Sequence, residues 1–254
     1  MELAISDSAQ RRANELAARL AIGASALAFA LLVSLHVLSP EFSPAWRMIS
    51  EYANGQYSWV LSLMFVAYGL SMLGLAFSLR SQLATRRGRV GLVLLTLSGI
   101  GAASAAIFDV NQEALHELAG ALGYFGLPVP AMLITTSLCR IQPWSAVRKP
   151  LLLAANLTWI TLVLWIGSFV VMIATVILAL GGMPTTPPAD LPPGVIGLVG
   201  WTNRLAVLSA WAWVVAVAWQ VIKVHRRRVP PASAQVSGAR GRISGWVSQA
   251  MSGH

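Results

Sequence analysis

Apolar residues along this chain come in long unbroken runs, not in the alternation of a half-buried strand or the one-sided stripe of a soluble helix. The first run covers residues 20–38 and follows a basic, helix-compatible stretch at 9–19. Further runs cover 57–79, 90–108, 118–136 and 150–180, and a last one begins at Val195 or Trp201 and ends at Val224. Each is close to or above the roughly 20 residues needed to cross a bilayer core, so the pattern predicts six transmembrane helices. A cleaved signal peptide is the competing reading of the first run. That run is long for such a segment and ends in Ser39-Pro40 without a small-x-small cleavage site, so an uncleaved helix is expected. Ser39-Pro40-Glu41 and Ser43-Pro44 each pair a capping residue with proline, which predicts a short interfacial helix holding Trp46, Arg47 and Met48. Gly181-Gly182, followed by Pro184, Pro187, Pro188, Pro192 and Pro193, breaks the fifth span decisively. Beyond His225 the chain is basic and rich in Ser, Gly and Ala, the composition of a disordered tail. The expected organisation is a basic N-terminal segment at 1–19, a six-helix membrane domain at 20–224 and a tail at 225–254. The fold class is all-α: a polytopic integral membrane protein built as a single bundle.

Composition sharpens this picture. Of 254 residues, 56% are hydrophobic and 11% charged, and the mean hydropathy is +0.68, too apolar to cover a soluble globule with charge. The lipid bilayer is the expected partner. The formal charge of +9 would suggest nucleic acid in a soluble protein. Here the basic residues fall in four clusters: Arg11, Arg12 and Arg19; Arg80, Arg86, Arg87 and Arg89; Arg140, Arg148 and Lys149; and Lys223, Arg226, Arg227, Arg228, Arg240 and Arg242. Two apolar runs separate each cluster from the next, and only Arg47 and Arg204 fall outside. Charge and hydropathy therefore agree on a topology with both termini cytoplasmic, with no role for nucleic acid. The single cysteine, Cys139, excludes an intramolecular disulfide and reads as a small apolar residue near a helix end.

Within the runs, Ala67, Ser71, Gly74 and Ser78 form a stripe of small residues on the second span, and Gly99 with Ala103 a small-xxx-small pair on the third. Thr161, Ser168 and Thr175 lie on one stripe of the fifth span, where back-bonding to their own helix is expected. Trp46, Trp59 and Trp201 suit an outer aromatic belt, Trp144 and Trp219 an inner one.

The topology gathers polar residues at one level. His36 ends span one; Ser50, Glu51 and Tyr52 lead into span two; Asp109 and Asn111 end span three; Glu113, His116 and Glu117 open span four; Asn203 and Arg204 open span six. Ionisable groups near hydrocarbon tend to face the bundle and pair. His116 shares a stripe with Gly120 and Gly123, which turns it inward. The candidate polar site is therefore His36, Ser50, Glu51, Tyr52, Asp109, His116, Glu117 and Arg204. Each has a structural alternative: Asp109 or Asn111 as the cap of span four, Ser50 as the cap of span two, and Arg204 as the partner of Glu51 or Asp109.

The segment Ile49-Ser50-Glu51-Tyr52-Ala53, the acid ending span three, the His opening span four and Gly200-x-x-x-Arg204 resemble the prokaryotic membrane family catalogued as domain of unknown function 998. The resemblance covers residues 24–224, and the Ser-Glu-Tyr element is its most specific part. The chain departs from that pattern at 107–111, where a proline-containing acidic turn is expected. The resemblance implies six spans and an outer polar site and brings no established activity. Three functions fit the residues. The first is binding of a lipid headgroup, small solute or partner at an outer pocket. The second is a metal-dependent intramembrane hydrolase acting on a lipid-like substrate, with His36, Glu51, Asp109 and His116 as candidate metal ligands, although no HExxH or HxxxH spacing supports it. The third is a single b-type haem between His36 and His116.

Overall fold

The computed structural model describes residues 2–184 and 190–227; the expected tail beyond 227 lies outside the described residues. Seven α-helices are present among them: α1 (Glu2–Leu38), α2 (Ser58–Leu79), α3 (Arg86–Ser104), α4 (Glu113–Gly120), α5 (Pro128–Leu138), α6 (Arg148–Leu180) and α7 (Val199–Arg227). The first apolar run and the basic stretch before it form one continuous helix. At 37 residues, α1 is about 55 Å long, well beyond a bilayer core of about 30 Å.

Five helical segments are long and apolar enough to cross a membrane: Ser8–Leu38, Ser58–Leu79, Glu113–Leu138, Trp144–Leu180 and Val199–Val224. Helix α3 is not one of them, because it opens on Arg86, Arg87 and Arg89 and ends at Ser104, four residues before the expected end of the third span. It still runs between the two ends of the bundle. At one end the Asn14 amide donates to Ser81 Oγ (2.8 Å) and the Trp144 indole to Gln82 Oε1 (3.0 Å). At the other, Ser62 Oγ donates to the Ala106 carbonyl (3.2 Å), so α3 travels back alongside α2. Three of the four basic clusters flank the first end, and the candidate polar residues lie at the second.

Helix α7 is the central element. Its most apolar stretch is 67% buried against 11% for α6, which packs on the bundle along a narrow strip and leaves most of its surface exposed. Trp213 is fully buried and donates to Thr135 Oγ1 on α5 (2.9 Å). The hydroxyl stripe of α6 bonds back to its own helix, as expected, and also reaches out. Thr161 pairs with Ser209 (2.7 Å), Ser168 with Thr202 (2.5 Å), and Thr175 accepts from the Ile196 N–H (3.1 Å). Such pairs suit an apolar medium in which water cannot replace them.

Three local expectations are corrected. Residues 43–47 form turns, not an interfacial helix, and the helical turn that follows is a 3-10 segment at Ile49–Asn54. Both Ser-Pro pairs are spent on turns, and Ser39 is buried with no bond from its hydroxyl among the described residues. Trp144 belongs to the core and not to an inner belt, whereas Trp219 is half exposed and lies under Lys223. Span four is not uniform: between α4 and α5 the chain forms a π-helical segment, Ala121–Phe125, then breaks at Gly126-Leu127. Pro128 and Pro130 explain the break, because neither can donate to the carbonyl four residues earlier.

The π segment presses Gly123 against α3. A Cβ built on Gly123 would lie 2.8 Å from Ala102 Cα, nearer than atoms can approach. Gly123→Val should therefore destabilise the protein by about 1–3 kcal/mol through overpacking. Thermal melts in detergent check this; an unchanged melt would show that α3 and the π segment are not in close contact.

Candidate functional site

The predicted polar residues gather at one end but divide into two groups. The first surrounds Arg204, which is only 4% exposed. Its Nε donates to His36 Nε2 (2.8 Å), Nη1 to the carbonyls of Arg47 (2.8 Å) and Gly200 (3.0 Å), and Nη2 to the Tyr52 hydroxyl (3.2 Å). These acceptors come from α1, the 43–54 segment and α7 itself. His36 Nδ1 lies 2.7 Å from the Leu32 carbonyl, so the two bonds together require the neutral tautomer with its proton on Nδ1. The first turn of α7 docks on the same segment: the Gly200 and Trp201 N–H groups donate to the Ala45 carbonyl (3.0 and 3.3 Å). Gly200 permits that approach, since a Cβ there would be driven into the carbonyl oxygens of Pro44 and Arg47.

The expected pairing of Arg204 with Glu51 or Asp109 is absent among the described residues. Glu51 instead pairs with Arg47, Oε2 to Nη1 at 2.8 Å, while its Oε1 accepts from the Met48 N–H (2.7 Å) and closes the start of the 3-10 turn. Four residues separate Arg47 from Glu51, so the local partner prevails over the distant one. Asp109 accepts from the Asn111 N–H (2.9 Å) in a turn of its own, and Gln112, not Asp109 or Asn111, is the residue preceding α4. Tyr57 precedes α2, so Ser50 does not cap it.

The second group lines a cavity of about 530 Å³ between the 3-10 segment, α2, α3, the α4–π segment, α6 and α7. Ser50, Glu113, His116 and Glu117 form its polar rim. His116 Nδ1 lies 2.8 Å from the Phe108 carbonyl, and its other ring nitrogen has no partner among the described residues. The walls below are apolar and aromatic: Met64, Phe65, Phe125, Trp165, Phe169 and Val207. Trp165 meets Tyr124 edge-on at 5.2 Å and Phe125 at 5.1 Å. The Tyr124 hydroxyl donates to the Asn203 carbonyl (3.3 Å). Tyr68, which also lines the cavity, is 3% exposed, and among the described residues neither its hydroxyl nor the Trp165 indole N–H has a hydrogen-bond partner. An unmet buried donor costs about 1–3 kcal/mol. The π segment supplies Gly123, Tyr124 and Phe125 to this wall, and such irregular turns recur at functional sites.

Tyr68, Tyr124 and Trp165 were not among the sequence candidates. Their signal was present as polar-tipped aromatics in mid-span, beside two prolines that break the helix carrying Tyr124.

The comparison with known families bears on all of this: the model described as Protein of unknown function (DUF998) matches residues 22–220. The chain belongs to that family. No curated protein and no solved structure matches it. The DUF998 match covers both the Arg204 cluster and the cavity, so the whole polar end is part of the family domain.

The proposed metal ligands do not assemble. Among the described residues no three His, Cys, Asp or Glu side chains converge to hold a metal ion. His36 has both nitrogens engaged and Glu51 both oxygens, which also leaves His36 no nitrogen for haem iron. Cys139 is buried, and burial pushes its thiol up against the opposing influence of Arg148, in keeping with a packing role.

Arg204→Lys should lower stability by about 1–3 kcal/mol, because a lysine cannot reach acceptors on three segments at once. Glu51→Gln should cost at most about 1 kcal/mol, since the amide keeps the bond from Met48 and the Arg47 pair is part-exposed. Adding Glu51→Leu to Arg204→Leu should not rescue it. Melts of the variants test this, and rescue by the double change would restore the Glu51–Arg204 pair as the organising contact.

Proposed function

We propose that this DUF998 protein is a six-span bacterial inner-membrane protein that binds one lipid-like amphiphile in a cavity at the outer end of its bundle. The observation that carries the reading is the cavity itself, with an apolar aromatic interior beneath a rim of Ser50, Glu113, His116 and Glu117. Pockets that bind small amphiphiles combine apolar walls with a few convergent polar groups. An acyl or isoprenoid chain fits the interior, and the polar end of the molecule meets the rim. The rim contains two carboxylates and no Lys or Arg, which favours a neutral or amine-bearing headgroup over an anionic one.

Orientation is part of the proposal. Three of the four basic clusters flank the Asn14–Ser81 end, so that end is assigned to the cytoplasm and the cavity to the outer face. Helix α3 counts as the sixth span because it runs the depth of the bundle and turns an apolar face, Val90, Val93, Leu97 and Ile100, outward. In this reading Ser50, His116 and Glu117 contact the ligand, while His36, Glu51, Tyr52 and Arg204 hold the frame and Asp109 holds its own turn.

Gly120 gives a direct test. It lines the cavity, and a Cβ placed there meets nothing within 4 Å, so a large residue fills the cavity without a clash at its base. Gly120→Phe should abolish lipid co-purification measured by native mass spectrometry while leaving the melt intact. Gly167→Phe, equally open but outside the cavity, should retain lipid. Equal lipid retention by both variants would overturn the reading. A reporter fused after His254 should be active in the cytoplasm, and activity confined to the periplasm would overturn the topology.

A further inference from the structure

We propose that two copies of the protein pair in the membrane along the outward side of α6, with the Asn156 amides of the two copies bonded to each other at a two-fold axis. The proposal does not depend on the cavity.

Helix α6 packs on its own bundle through Leu151, Ala155, Thr158 and Leu162, which are buried. Its opposite side carries Asn156, Ile160, Val163, Gly167, Val170 and Ala174, all exposed. Their spacing alternates between four and three residues, a period of 3.5, which keeps one line of residues facing a second helix as the two wind around each other. From Asn156 to Ala174 the line runs about 27 Å, nearly the depth of a bilayer core of about 30 Å. A second helix laid on it therefore makes contact through almost the full thickness of the membrane.

Lipid alone accounts for Ile160, Val163 and Val170, which are 51%, 62% and 60% exposed. It does not account for Gly167. Glycine weakens a helix relative to alanine, and nothing in the protomer requires it, since a Cβ there meets nothing within 4 Å. Lipid tails need no such opening, whereas the backbone of another helix does. Asn156 fits lipid still less. Leu164 is the midpoint of the 33-residue α6, so with the helix centred in the bilayer Asn156 lies about 12 Å from the midplane, inside a hydrocarbon half-thickness of about 15 Å. Its Nδ2 donates one hydrogen to the Leu152 carbonyl (2.8 Å). The second hydrogen and Oδ1 have no partner among the described residues.

The amide identifies the partner. A primary amide offers a donor and an acceptor together, so in an apolar medium another amide at the same depth is its complement. All copies insert with the same side outward, so a two-fold axis relating them stands along the membrane normal and their α6 helices run parallel. On that axis each residue of the line meets its own counterpart. Asn156 meets Asn156 and Gly167 meets Gly167, so a second copy supplies the polar match and the close approach from one sequence.

The test uses the full-length protein, labelled once at its C-terminus, in vesicles of phosphatidylethanolamine and phosphatidylglycerol. Counting photobleaching steps over a range of protein-to-lipid ratios gives the association constant. Asn156→Leu should weaken pairing about five- to twentyfold, and Asn156→Gln, which keeps the amide, should retain most of it. Gly167→Phe should leave monomers. Gly120→Phe, which fills the cavity, should pair as the wild type does, so pairing and lipid binding fail separately. Disulfide cross-linking in a Cys139→Ala background requires no change in affinity: Val163→Cys should cross-link to itself, while Leu164→Cys, exposed but about 100° round the helix, should not. The proposal is overturned if the wild type is monomeric at every density, if Asn156→Leu pairs as tightly or more tightly, or if Leu164→Cys cross-links as readily as Val163→Cys. A cross-link from Val163→Cys to a different protein in place of itself overturns it in favour of a foreign helix.

Discussion

The polar end of the bundle depends on one buried cation. Arg204 lies inside the protein with no carboxylate bonded to it among the described residues, and its guanidinium is held by one imidazole, two backbone carbonyls and one phenol. A charge in such a place is tolerated only when its donors are met. Meeting them draws together α1, the 43–54 segment and the first turn of α7. The fork geometry of arginine matters here, since a point charge on a flexible stem could not serve acceptors in several directions. His36 is committed by the same arrangement: it must offer a lone pair to Arg204, which fixes its tautomer and removes it from metal or haem chemistry.

This frame leaves the cavity free to be irregular. With α7 anchored, the α4–π–α5 segment departs from a regular helix at Pro128 and Pro130 without loosening the bundle, and the departure carries Tyr124 and Phe125 to the cavity wall. Close packing of Gly123 on α3 holds that segment in place. The polar end thus holds two sets of residues, the Arg204 cluster, whose hydrogen bonds are complete, and the cavity lining beside it.

Much of this division could not be read along the chain. The candidate list named His36, Glu51, Tyr52 and Arg204 because charge and polarity stand out against apolar runs, and the same contrast found Ser50, His116 and Glu117. It could not tell frame from pocket. Glu51 illustrates why: both Arg47 and Arg204 are plausible partners by charge, and only the local turn at 43–51 puts Arg47 within 2.8 Å. Tyr68 and Trp165 escaped notice because aromatic residues in an apolar run look like core until their donors are seen to lack partners. The break in span four was legible from its two prolines, and a count based on length and hydropathy alone passes over it.

What the sequence by itself determined is the partition between water and hydrocarbon: the apolar runs, the breaks between them, the basic clusters that separate the two ends, and the membership of the DUF998 family. Partition depends on the identity of neighbouring residues, and that information is local. Only the tertiary structure decided which polar groups meet. His36 and Arg204 are 168 residues apart, and their bond depends on how α1 and α7 pack sideways, a matter of side-chain shape summed over several helices. The cavity follows from the same lateral packing, because a space between six segments is a property of none of them alone.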